Sequence, residues 1–358
     1  MNKKIFGVIF LAAFFASSVF AENEKKSDIT PYPTLPYNEL IFPPNPTFSV
    51  HAPSIVELSD GGLFAVWYNV IPPGTTTAIW GSRKPAGADK WTKPSIVNYS
   101  PGHSNKNPVL YMNRDKKLLL FWAEETRWRK WKRDRLRMKV SGDLGRTWGK
   151  SRNVEISSGF LSRTHPIKLN DGRLILPIYT DWSTSSAVIT SWDDGLTWSK
   201  PRFMLFFIGT QPAVIQRSDS SLFALMRTGM PPRRCWQAES TNLGRNWKNQ
   251  RLSAIDNPGS SIDMIRLRNG HVVLVFNNSK SERSHLSIAL SYDEGRTWAH
   301  IKEIEVRPGN TNIYPSLMQD SNGLIHAVYS FDGRQSICHF VTDEKWIESQ
   351  NAQPLRLN

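Results

Sequence analysis

Two cysteines in 358 residues, Cys235 and Cys338, are too few for a disulfide framework or a cysteine-built zinc site. Long hydrophobic runs are as scarce. Only Ile5 to Ala16 forms one, just after Lys3 and Lys4, and it is shorter than the roughly 20 residues of a membrane span. With Val19-Phe20-Ala21 behind it, this start reads as a signal peptide over 1–21, which predicts a periplasmic or secreted protein. Acidic residues are in deficit: 31 Asp and Glu stand against 45 Lys and Arg, a formal charge of +14. Much of the excess lies in Arg127–Lys139, where Trp128 and Trp131 are interleaved. That stretch reads as a polyanion contact or as a solvated strand edge. Export argues against nucleic acid as the physiological partner. Helical periodicity is missing after the leader, so the chain reads as all-β.

Tryptophan, in contrast, is plentiful at 14 residues, and four copies close a repeated motif. The segments SGDLGRTW (141–148), SWDDGLTW (191–198), STNLGRNW (240–247) and SYDEGRTW (291–298) begin 50, 49 and 51 residues apart. In each, an Asp can accept turn N–H groups, a Gly takes the positive-φ position, and a Trp packs beneath the hairpin. Asn242 replaces the Asp in the third copy. A second periodic signal sets the number of units. Polar turns precede β-rich runs at Asp60, Asp115, Asp171, Asp219, Asn269 and Asn322. Six units of about fifty residues predict a six-bladed β-propeller over 46–358, after an N-terminal extension at 22–45 that is either an extension or a first outer strand. Cys235 and Cys338 then fall in the fourth and sixth units, too far apart to bridge, so both are expected to be free and mostly buried.

A polar or aromatic residue stands before each inner hairpin turn: His51, Asn107, His165, Gln211, Asp263 and Tyr314. Proline follows within two positions in five of the six. The first strand of a propeller blade lines the axis, so these residues are expected to form a ring at one mouth of the channel. The bland alternative is that Pro merely starts strands.

The four boxes resemble those of the BNR/Asp-box repeat family, the sialidase superfamily, over roughly 46–340. The resemblance implies a sialidase-like propeller. It also implies a substrate carboxylate held by three arginines, a Tyr nucleophile activated by a Glu, and an Asp acid. Tyr314 stands where the nucleophile is expected, and Arg227 and Arg283 resemble two of the arginines. The rest of the set departs. His51 (in His-Ala-Pro) replaces the first arginine, and Gln211 stands in the place of the Glu. The loop that should hold the acid (71–77) has no carboxylate. Asn107-Pro-Val-Leu and Asn257-Pro-Gly-Ser-Ser-Ile-Asp263 place the chain on a divergent branch.

His51 could therefore activate Tyr314, with Asp263 or Asp181 as acid, while Arg227, Arg283, Gln211, Asn107 and His165 bind substrate. Three functions fit: an exo-glycosidase on a terminal acidic sugar, a uronate-directed lyase, or a non-catalytic glycan-binding propeller. The partner in each case is an acidic glycan, and the protein is read as a monomer. Neither a metal nor a cofactor is called for.

Overall fold

The computed structural model describes residues 34–349, apart from 72, 73, 75, 127–133 and 155. The signal-peptide reading, most of the basic stretch and part of the 71–77 loop lie outside the described residues. Six antiparallel sheets follow one another along the chain as six blades. Their inner strands are His51–Glu57, His103–Met112, the broken pair Leu161–Ser162 and Ile167–Lys168, Thr210–Gln216, Asp263–Arg266 and Ile313–Gln319. Blades 1, 2, 4, 5 and 6 have four strands. Blade 3 counts five because its inner strand is broken.

Of the two readings of 22–45, the outer strand applies to its described part. Tyr37–Leu40 pairs with Ser336–Thr342 and forms the outermost strand of blade 6, so the extension at 22–45 is partly blade. The last blade thus takes three strands from the C-terminal side of the chain and one from the N-terminal side. Ile41, Phe42 and Val50 then pack with Ile337, Val328 and Trp67, sealing the junction of blades 6 and 1. Similar apolar clusters fill the other junctions, as where Phe223 of blade 4 meets Phe276 of blade 5. Among the described residues one short helix, Glu344–Glu348, is capped by Asp343 and buries Ile347.

Each box closes the hairpin between the two outer strands of its blade. In the second, Asp193 accepts the Thr197 N–H at 2.8 Å and its hydroxyl at 2.6 Å, while Ser191 donates to Asp193 and accepts from Gly195. Asp143 and Asp293 repeat the pattern with Thr147 and Thr297. Asn242 keeps the backbone bond, from Asn246, but has no threonine hydroxyl to accept. The tryptophan does more than pack beneath its own hairpin: it reaches the preceding blade. Trp198 of blade 3 meets Phe121 of blade 2 edge-on at 5.6 Å, and Trp298 of blade 5 joins the cluster around Phe223 of blade 4. The box glycine makes this approach possible. A Cβ on Gly295 would lie 2.8 Å from the Phe223 ring, and its φ of +84° is one that L side chains rarely adopt. The boxes are therefore staples between blades.

Cys235 and Cys338 are free and buried, in blades 4 and 6 as expected. The described end of the basic stretch is folded in. Lys139 is buried over the Trp122 and Trp148 rings, and burial lowers its pKa to about 8.

Candidate functional site

At the axis the inner strands share a device the sequence does not announce. Ala52, Asn107, Gln211 and Tyr314 each immediately precede a proline, and each takes a left-handed φ between 49° and 60°. At each of these places the pairing with the next strand slips. A bulge of this kind re-aims a side chain, at a local cost of about 1–2 kcal/mol for a residue other than Gly. In blades 2, 4 and 6 it turns Asn107, Gln211 and Tyr314 into one cavity of about 210 Å³.

Half of the expected ring is thus assembled, and half is not. In blade 1 the equivalent position is Ala52, so His51 is one residue out of register. A one-residue slip sends a side chain to the other face. His51 packs its ring against that of Tyr314, centroids 3.9 Å apart, and its Nδ1 lies 3.3 Å from the Ser330 hydroxyl. Burial, helped by the charges of Arg334, Arg163, Arg227 and Arg283, holds its pKa well below the usual value. His51 is a neutral platform under the tyrosine ring, and no hydrogen bond joins it to the Tyr314 hydroxyl. Asp263 and His165 bind each other at 3.2 Å, and Asp263 also accepts the Leu317 N–H at 2.8 Å. Neither lines the cavity. Asp263 is fully buried, tying blade 5 to blade 6, which corrects its reading as a catalytic acid; His165 is its partner across the axis.

The cavity has two electrical halves. On one side stand Glu125, Asp134 and Asp181, with Lys106 paired to Glu125. Burial, then the Glu125 charge, raises the Asp134 pKa to about 6. Burial also raises that of Asp181, against the opposing pull of Arg227 and Lys106. The other side is cationic. Arg227 Nη1 donates to the Tyr314 hydroxyl oxygen at 2.8 Å and to the Gly259 carbonyl at 3.1 Å. Arg283 donates to the same carbonyl at 3.0 Å. The two arginines found in the sequence are therefore held side by side, and the Asn257 motif explains how. Asn257 Oδ1 accepts the N–H groups of both Gly259 and Ser260 at 2.9 Å, folding the turn that presents the shared carbonyl.

Two further arginines escaped the sequence reading. Arg334 lies in the turn before Ser336–Thr342, and its charge acts on His51 and Arg283. Its guanidinium has no hydrogen bond or ion pair to any described residue. Arg163 sits in the break of the blade 3 inner strand and is fully buried. It donates to the carbonyls of Pro53, Tyr314 and Pro315, joining blades 1 and 6 across the axis. The only sequence signal for Arg163 is its place two residues before His165, next to an interrupted strand pattern. For Arg334 there is none, because it belongs to a turn outside the repeated inner register.

These charges set the state of Tyr314. Burial works to raise its pKa, but the Arg227 charge, hydrogen bonds from Gln211 and Arg227, and the Arg163 charge outweigh it and lower the value. Tyr179 shows the opposite case. It is buried, receives Asn107 Nδ2 at 2.8 Å and Gln211 Nε2 at 3.2 Å, and burial pushes its pKa well above the usual range. Gln211 Oε1 is left buried without a partner. The site therefore offers an activated phenol, a cationic cradle and protonatable carboxylates facing it. Among the described residues, no three His, Cys, Asp or Glu side chains converge to hold a metal ion.

Comparison with known proteins agrees with this architecture. No curated protein sequence matches the chain. Among solved structures it is similar to the NanB sialidase of Streptococcus pneumoniae (TM-score 0.71, 13% identity, 86% of this chain and 71% of that one). It is also similar to the intramolecular trans-sialidase of Ruminococcus gnavus (TM-score 0.69, 15% identity, 84% and 96%). The α-L-arabinanase of Penicillium chrysogenum shares the fold too (TM-score 0.64, 17% identity, 88% and 100%). At these identities the likeness is one of fold. The model of the BNR repeat-like domain matches residues 73–327, most of the propeller, and the chain belongs to that family.

Proposed function

We propose that this protein is an exported, sialidase-like exo-glycosidase acting on a terminal acidic sugar. One observation carries the reading: Arg227 binds the hydroxyl oxygen of Tyr314 while standing beside Arg283 on a shared carbonyl. In this reading the sugar carboxylate is held by Arg227 and Arg283, with the unpaired Arg334 as the third cation. Charge-assisted and bidentate contacts of this kind are the strong ones. Tyr314 attacks the anomeric carbon as its phenolate, the proton having already passed to solvent, and the bond from that carbon to the leaving oxygen breaks. Arginine stabilisation of the phenolate substitutes for the base that Gln211 cannot be. The leaving oxygen takes its proton from Asp181, whose raised pKa keeps it protonated at higher pH than an ordinary carboxyl. Water, giving its proton to the Asp181 carboxylate, then displaces the sugar from the Tyr314 oxygen, which leaves as the phenolate. The lyase reading loses its support, since it needs His51 at the Tyr314 hydroxyl.

The test is incubation with a panel of sialosides and uronate-capped oligosaccharides, read by mass spectrometry, with Tyr314→Phe alongside. Release of a saturated acidic sugar by the parent and not by the variant is expected. Release of an unsaturated sugar, or binding of acidic glycans with no turnover, would overturn the reading.

A further inference from the structure

The cavity mouth carries apolar side chains that the chemistry above leaves unused. The loop entering blade 4 exposes Phe206 and Phe207, at 53% and 69%. Phe207 is also held at a φ of +62°, and its N–H is bound by the Ser185 hydroxyl at 3.2 Å. That bond fixes the loop on the blade 3 turn that carries Asp181, in the cavity lining, and Trp182, 51% exposed. On the other side of the blade 4 hairpin, Thr210 pairs with Arg227. The loop just beyond Arg227 exposes Met230 at 56%. Four large apolar side chains therefore stand on three loops at the end of the sheets where Asp181, Gln211 and Arg227 line the cavity. Phe206 stacks on Phe203 at 4.5 Å, but it, Phe207 and Met230 stay more than half exposed, and a left-handed phenylalanine is strained.

Charge selects the occupant. Arg233, on the same loop as Met230, is exposed; it donates to the Pro258 carbonyl at 3.4 Å and has no carboxylate partner among the described residues. Burial, then the charges of Arg227, Arg334 and Arg233, lowers the pKa of Arg283. A second copy of the chain would set these cations against each other. An anionic bilayer would instead accept both features, because aromatic side chains settle at the headgroup boundary and arginines are drawn to anionic lipid. We infer that this rim docks the cavity mouth onto an anionic lipid surface, so that sugars carried there face the site. The inference does not depend on the reaction proposed above.

The experiment is co-sedimentation of the full chain with phosphatidylcholine vesicles, with and without phosphatidylglycerol, at low and high salt. The parent is expected to pellet with the phosphatidylglycerol vesicles and to be released by salt. Phe206→Ser combined with Phe207→Asn is expected to lower the partition about tenfold, at an unchanged melting temperature. Asparagine tolerates the left-handed position. Arg233→Asn should weaken binding several-fold and flatten its salt dependence. The inference is overturned if the parent stays in the supernatant with phosphatidylglycerol present. It is also overturned if the double variant pellets as the parent does, or if light scattering shows concentration-dependent dimers that this variant abolishes. Parent binding alone decides the question if the variant does not fold.

Discussion

The outer rim and the axis of this propeller are built by opposite rules. On the rim, one eight-residue sentence is repeated four times, and three copies solve the same mechanical problem with the same atoms, the other using Asn242 in place of Asp. Its carboxylates are acceptors of turn N–H and hydroxyl groups. In Asp193 and Asp293, burial pulls the pKa up, but those bonds outweigh it and bring it down. At the axis one backbone shape carries different side chains. Asn107 and Gln211 bring amides to the Tyr179 hydroxyl, Tyr314 brings a phenol, and the carboxylates Asp134 and Asp181 have raised pKa values. Repetition marks what holds the ring together, and departure from it marks what the ring is for.

The comparison breaks most sharply at Tyr314. Tyr314→Phe removes one hydroxyl and is expected to lower turnover by about 10²–10⁴-fold while melting stays within a degree or two, measured by product release and calorimetry. If activity survives, the axis is not the reacting centre. Arg283→Ala should weaken binding of an acidic glycan by about 1.5–3 kcal/mol in titration calorimetry, and leave its neutral methyl ester unaffected. Equal losses for both ligands would mean that the arginine merely supports the turn at Gly259.

On the rim the effects should appear in stability alone. Asp193→Ala leaves the Leu196 and Thr197 N–H groups and the Thr197 hydroxyl without their acceptor and should cost about 1–3 kcal/mol in urea unfolding, with kinetic constants unchanged. The two regions should also answer pH in opposite senses. The rim carboxylates have depressed folded pKa values, so their contribution is present at neutral pH and lost as pH falls through those values. Asp134 is raised from 3.8 to about 6, so its contribution is present in acid and lost as pH rises through about 6. Asp134→Asn should therefore remove about 1–2 kcal/mol of the parent's stability loss between acid and neutral pH. A parallel pH profile for parent and variant would contradict this. The smallest effect sharpens the rim rule. Asn242→Asp together with Asn246→Thr rebuilds the full box in blade 4 and should gain about 1 kcal/mol, whereas Asn242→Asp alone should gain less, because no hydroxyl meets its second oxygen.

This contrast also explains what was legible in the sequence. The blade count and the box geometry could be read because a repeated problem leaves a repeated string. Tyr314, Arg227 and Arg283 were legible through resemblance, and the Gly259 carbonyl that unites the arginines shows why the Asn257 motif accompanies them. The misreadings were matters of register and depth. His51 and Ala52 are neighbours in the chain, but the bulge decides which of them takes the ring position. Asp263 is indistinguishable from a site carboxylate until the Leu317 N–H is found on it. Arg163 and Arg334 come from a broken strand and an outer turn, and only the closed ring brings them inward. Which of the two readings of 22–45 applies was open for a related reason: Tyr37–Leu40 carries no blade pattern of its own and becomes an outer strand only against Ser336–Thr342.

That last pairing has a consequence for how the molecule comes into being. Tyr37 lies opposite Val341 and Leu40 opposite Cys338, so the outermost strand of one blade is separated from the other three by nearly the whole chain. During synthesis the first partner emerges early and waits for the last. Loop-closure entropy must be met before that contact returns anything, which makes the final seam slow to form. Until then blade 6 presents an open strand edge, and the nascent ring is most prone to pair with a stranger. Once the seam is shut, neither end of the sheet can peel away without the other, and the circle resists loss from its termini in a way that an open stack of the same blades would not.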